Sequence, residues 1–332
     1  MTMVEETSLS HRVWVFLALV FPISWVLWVP VMLDKTNPVF LNLSGGPALA
    51  AMWVVGSRNG RAWNPGRLAA FLLLIPLCWM VVILNIAANS NPRAPVQFNP
   101  GLLLPSAISA WIISGAVSAD TGIRRLLRPL VAPVGWRWPV IALLIIPVFL
   151  LATAALGRAI GLPVANLARG LTAGQLVGLV AIRFAHYLMF TAVFEEPGWR
   201  GFLLPRLQVR FSPLMASVLV WLPWAIWHLP LDLTRPGGWS LLMEFRQRVV
   251  VLLIFSVVIT WLYNRSRDGL LSAVVFHGAT GSFVYVLPSS PPLIVPLAFV
   301  LVATMIISGR MWRKHVHARG ERLSAHSAAT PA

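Results

Sequence analysis

The sequence predicts an all-α fold: a polytopic transmembrane helical bundle of about 8–10 membrane helices around a central polar cavity. Three observations predict it. Apolar runs of about 20 residues recur along the whole chain, the length a helix needs to cross about 30 Å of hydrocarbon. Only 11% of the residues are charged, against about 25% in a soluble domain, so nearly ten such runs have no soluble core to hide in. The few ionisable residues inside the runs gather in the second half of the chain, which calls for a polar interior.

The runs fall at 13–33, 39–57, 68–88, 101–119, 138–157, 184–209, 213–230, 248–264, 269–287 and 292–309. Pro, Gly, Asn and Arg separate them, as breakers should. One re-entrant run would lower the count to nine, two to eight. Glu5 and Glu6 stand where a cleavable signal would be basic, so 13–33 reads as a first membrane helix. The organisation expected is a short cytoplasmic segment at 1–12, N-terminal membrane helices over 13–173, a chemistry-bearing membrane region at 174–310 and a basic, disordered cytoplasmic tail at 311–332. Cys78 lies alone in an apolar run and reads as a small core residue.

The net charge of +16 would suggest nucleic acid in a soluble chain. Here the basic residues lie at run ends, where they serve as topology signals and lipid-head contacts, so no nucleic-acid partner is expected. With the N-terminus inside, 18 basic residues face inside: Arg12, Arg58, Arg61, Arg67, Arg124, Arg125, Arg128, Arg137, Arg200, Arg206, Arg210, Arg265, Arg267 and the tail from Arg310 to Arg322. Seven face outside: Lys35, Arg93, Arg158, Arg169, Arg235, Arg246 and Arg248. Arg183 sits at a helix edge. The excess places both termini in the cytoplasm. Trp28, Trp63, Trp136, Trp138 and Trp239 lie near run ends and fit interfacial belts.

Ionisable side chains at membrane depth are costly. Run 184–209 holds Glu195, Glu196 and Arg200, run 213–230 holds His228, and run 269–287 holds His277. Glu195 and His228 each stand fifteen positions from the inner ends at Arg210 and Pro213, about 22 Å deep if helical. His277 is nine positions from Asp268, about 13 Å deep. The depths agree only if 195–209 is membrane-embedded helix, which Pro197, Gly198 and Pro205 should kink. Glu196 and Arg200, four apart, can pair and neutralise each other. Glu195 projects about 100° away, free to act on water. A carboxylate that activates water, with imidazoles to polarise a carbonyl, suits hydrolysis. Two His and one carboxylate are also the ligand set of one zinc hydrolase class, with a position open for water. Glu195, His228 and His277 are the candidate metal ligands, and zinc the first candidate metal.

Three stretches carry a resemblance. Glu195-Glu196-Pro197-Gly198-Trp199-Arg200-Gly201 resembles the E-E-x-x-x-R motif of the CAAX prenyl endopeptidase and bacteriocin-processing family. Trp224-Ala225-Ile226-Trp227-His228 resembles its second motif, an aromatic residue followed four later by His. His277, opening HGATG, resembles its third, H-x-x-x-N. The resemblance covers about 180–290 and implies an intramembrane, metalloendopeptidase-like protease. It implies Glu195 as general base, His228 as holder of the water or a metal, and His277 as donor or ligand near the oxyanion, with Glu196 and Arg200 in support. Two positions depart. Trp224 replaces a usual Phe, which reads as conservative. Gly281 replaces the Asn and removes a side-chain donor, a loss on the scale of about 10²–10³ in rate, unless Ser282 or Thr280 substitutes.

The expected function is hydrolysis of peptide bonds in membrane-associated peptides or proteins, with the bilayer and that substrate as partners. The alternative is a catalytically weak or inactive scaffold or immunity protein of the same fold that binds a partner or lipid. A proton-coupled carrier is disfavoured. No internal repeat is visible, and runs 68–88 and 138–157 supply no buried acid.

Overall fold

The computed structural model describes residues 3–33, 43–57, 62–89, 99–132, 135–165, 170–233, 239–267 and 269–314. Among these the architecture is all-helical. The one β-type contact is an isolated antiparallel bridge between Ala165 and Ser289. Lys35, Arg58, Arg61, Arg93, Arg169, Arg235, Asp268 and the tail beyond Lys314 lie outside the described residues. Among the described residues, eight helices are long and apolar enough to cross a membrane, and two shorter apolar ones accompany them.

In chain order these are α1 (Met3–Leu33), α2 (Gly46–Val55), α3 (Pro65–Asn89), α4 (Leu103–Ser114), the short α5 (Thr121–Leu127), α6 (Arg137–Ala159), α7 (Ala173–Leu207), α8 (Pro213–Trp227), the short α9 (Leu229–Leu233), α10 (Trp239–Arg265), α11 (Leu270–Phe283) and α12 (Pro291–Gly309). Their outward faces carry exposed apolar side chains such as Leu73, Val148, Val177 and Val300. In a soluble protein so much open hydrocarbon would aggregate; against lipid it is the expected surface.

Ten predicted runs become ten apolar helices, with two revisions. Run 39–57 yields only α2, ten residues and roughly 15 Å long. Leu43–Gly45 carries no helix before it. The sequence SGGP cannot extend the helix upstream, because Pro47 suits only the first turn. Gly46 also needs its missing side chain, since a Cβ would stand 2.8 Å from Ser24 Cβ of α1. α2 is therefore too short to span a membrane by itself. Its first turns pack on the 193–203 stretch of α7, where its N-terminal dipole favours the acidic residues there.

Run 184–209 begins instead at Ala173. Thr172 caps the helix, with Gln175 completing a capping box. Arg183 does not interrupt it, because its guanidinium reaches out to Asn89 Oδ1 of α3 at 2.6 Å. α7 is 35 residues long and includes two π-helical stretches, Leu188–Ala192 and Pro197–Leu203. The expected kink at Pro197 takes this form. Proline has no N–H for the preceding turn, and the widened π turn absorbs the missing bond without ending the helix. π turns of this kind frequently mark functional sites.

The connections meet in two sets. On one face Ser57 N–H donates to Asp120 (2.7 Å), Leu214 N–H donates to the Met311 carbonyl (2.9 Å), and Arg210 reaches Ser10 (3.5 Å). On the other, Ala165 pairs with Ser289, and Arg183 lies near Tyr285. The first face collects most of the described arginines counted as inside. Two of those are revised. Arg200 is fully buried in the site, and Arg67 is fully buried between Ser118 and the Trp111 ring. Trp28 likewise is buried, 4.4 Å from the Trp227 ring, and is not an interfacial anchor.

Candidate active site

Contacts among α7, α8 and α11 link the five predicted residues in two groups: Glu196 joins Arg200 and His277, and Trp224 joins Glu195 and His228. Glu195 and Glu196 occupy the α-helical turn between the two π stretches of α7, 3% and 0% exposed. Arg200 lies one turn on, and its Nη1–H donates to Glu196 Oε1 at 3.1 Å. The predicted Glu196–Arg200 pair thus forms, with both side chains out of solvent. His277 arrives from α11, and its Nδ1 lies 2.6 Å from the same Glu196 oxygen. One carboxylate oxygen therefore takes both the guanidinium and the imidazole. His277 and Glu196 meet although simple counting put His277 about 9 Å shallower than the acids.

His228 caps the C-terminal end of α8. Its Nδ1–H donates to the Trp224 carbonyl at 2.9 Å. A carbonyl can only accept, so Nδ1 carries a proton, and Nε2 is the atom that offers a lone pair when the ring is neutral. His277 is held in the same sense, with Nδ1 on a carboxylate and Nε2 turned elsewhere. Both histidines are only partly buried.

Glu195 is not free, as the helical wheel suggested. Trp224 Nε1–H donates to Glu195 Oε2 at 2.7 Å. The Trp224 ring also carries Arg200, whose Cζ lies 4.2 Å from the ring centroid, and meets His277 edge-on at 5.8 Å. Sequence reasoning passed over this residue by treating Trp for Phe as conservative. The signal was present, since indole has an N–H and a phenyl ring has none.

The third motif is also rearranged. Gly281 has no room for a side chain, because a Cβ there would collide with the ring of Tyr187 on α7. The tyrosine thus fills the space beside Gly281 into which an Asn side chain would begin. Nothing local in the sequence announces that contact. The proposed substitutes do not supply the donor. Thr280 Oγ1 donates to the His277 carbonyl and Ser282 Oγ to the Gly278 carbonyl, each at 2.6 Å.

Nδ1–H donation by both histidines is the arrangement that metal-binding imidazoles usually show. However, among the described residues no three His, Cys, Asp or Glu side chains converge as a metal group. Glu195, His228 and His277, the residues expected to hold a metal, are not such a group.

Comparison with known proteins decides the likeness. Residues 177–283 match the family model described as type II CAAX prenyl endopeptidase Rce1-like. The resemblance read from the three motifs is therefore supported, and the matched stretch contains all five site residues. CAAX prenyl protease 2 of Methanococcus maripaludis is 32% identical over 99 residues. That alignment takes in 27% of this chain and 35% of the relative, so the chain spans about a third of the length of the curated relative it matches. The family-model match falls on the α7–α11 region of the bundle.

Proposed function

We propose that this chain is an intramembrane endopeptidase acting on membrane-associated peptides or proteins. The observation that carries the reading is the meeting of Glu195, Glu196, Arg200, His228 and His277 from three helices inside an otherwise apolar bundle. Such a cluster is expensive to bury and has no evident structural purpose. The Rce1-like match over the same helices supports the reading.

Glu195 is the general base. It takes a proton from a water molecule while the water oxygen bonds to the carbonyl carbon of the substrate. The carbonyl electron pair moves to oxygen, and the oxyanion is met by His277, whose imidazolium form offers Nε2–H. His228 accepts from the water through Nε2 and aims it. The intermediate then collapses, the C–N bond breaks, and the departing amine takes the proton held by Glu195. Glu196 fixes the His277 ring by accepting its Nδ1–H, and Arg200 balances the Glu196 charge. If a divalent ion joins the site, zinc suits the two Nε2 atoms best and would polarise the carbonyl or the water. Metal content of an active preparation, with activity before and after chelation and zinc return, decides its part. The basic face is proposed to be cytoplasmic.

The test compares protein N-termini in membranes of cells that make wild-type protein or Glu195→Ala at equal levels. New termini that depend on Glu195 are expected. Identical sets, with the cellular effect of the protein retained in the variant, would move the assignment to a binding scaffold. The missing amide at Gly281 is the observation in favour of that second reading.

A further inference from the structure

We infer that Trp224 is a positioning residue for the proposed base, acting through its indole N–H. The inference rests on the peptidase reading and adds a component to it. Four contacts carry the inference. Nε1–H donates to Glu195 Oε2 at 2.7 Å, within a site where Trp224 is 1% and Glu195 3% exposed. The backbone carbonyl of the same residue takes the Nδ1–H of His228 at 2.9 Å. The ring face holds the Arg200 guanidinium at 4.2 Å, and the ring meets His277 edge-on at 5.8 Å.

Each contact removes one freedom from the cluster. A glutamate carboxylate rotates about its last bond unless one oxygen is fixed. The indole fixes Oε2, and among the described residues Oε1 has no hydrogen-bond partner, so Oε1 is the atom left for water. A hydrogen bond to an ionised acceptor in a dry site is a strong one. Because α8 supplies both the indole and the carbonyl, one residue sets Glu195 and the His228 tautomer against each other. A phenylalanine would preserve the carbonyl and an aromatic face, though with a smaller ring in a buried place, and would leave Glu195 Oε2 without its donor.

The experiment uses the full-length protein in liposomes and a peptide spanning a cleavage found in the comparison of termini. Wild type, Trp224→Phe and Glu195→Ala are assayed for kcat and KM across pH. The expected result for Trp224→Phe is a kcat lower by about 10- to 100-fold, the scale of one charge-assisted bond. KM should stay nearly unchanged, and the pH at half-maximal rate should move. If Trp224→Phe fails to fold, the sulfur isostere benzothienylalanine at position 224 keeps the bicyclic shape, cannot donate, and should give the same split. Unchanged kcat and pH profile in the folded variant, with Glu195→Ala inactive, overturns the inference and leaves the peptidase reading standing. Full cleavage by Glu195→Ala overturns both.

Discussion

At the scale of single residues the site is a set of deliberate pairings. Glu196 is buried between a guanidinium and an imidazole, and each of those depends on it. Removing Arg200 leaves Glu196 with His277 alone against its charge, and breaking a buried pair costs about 3–5 kcal/mol. Arg200→Met is therefore expected to lower the thermal midpoint in detergent markedly, whether or not substrate is present. Glu195 is different, since the role proposed for it is chemical. Glu195→Gln should retain the midpoint within a few degrees while losing at least about 10²-fold in cleavage rate, the usual scale for a general base. A Glu195→Gln variant that unfolds would make the residue structural. The acidic pair, Arg200 and both histidines were legible because ionisable residues stand out in apolar runs. The indole of Trp224 was not, because its importance comes from which atom it faces, and spacing alone does not give that.

At the scale of elements, close approach does what side chains do elsewhere. Gly198 of α7 lies against α2, where a Cβ would be 2.5 Å from the Pro47 carbonyl oxygen. That neighbour is backbone and cannot swing away. Gly281 lies against the Tyr187 ring, which can. Gly281→Ala is accordingly expected to cost about 1–3 kcal/mol by overpacking, read as a fall in thermal midpoint, and Tyr187→Ala in the same chain should return most of it. If the double variant is no more stable than Gly281→Ala, the two residues do not share that space. Helix existence was readable from apolar length alone. The early start of α7 and the shortness of α2 were not. The first needed the Thr172–Gln175 cap to outweigh the charge of Arg183, and the second needed the Gly-Pro pair to outweigh a continuous apolar run. The π stretches that flank the acidic pair have no sequence signature beyond the presence of Pro197.

At the scale of the whole molecule the bundle is two-sided, with a basic face that joins the connections near Ser57, Asp120, Arg210 and Met311. The charge bias predicts that this face is cytoplasmic. Cys78 is buried and is the single cysteine, so Cys78→Ser gives a background for labelling. In it, Ala132→Cys should react with a membrane-impermeant maleimide only after the cells are opened, and Leu171→Cys in intact cells. The reverse pattern would invert the protein. In the proposed mechanism the three site helices divide the work: α7 carries the base, α8 holds the water and α11 meets the oxyanion. The central claim is that Glu195 activates the water that cleaves the substrate. Its most direct measurement is hydrolysis by the reconstituted protein in ¹⁸O-water, with a peptide from a mapped cleavage. The account predicts one ¹⁸O in the new carboxyl terminus for wild type and almost no product for Glu195→Gln. Equal labelled product from the two proteins would contradict it.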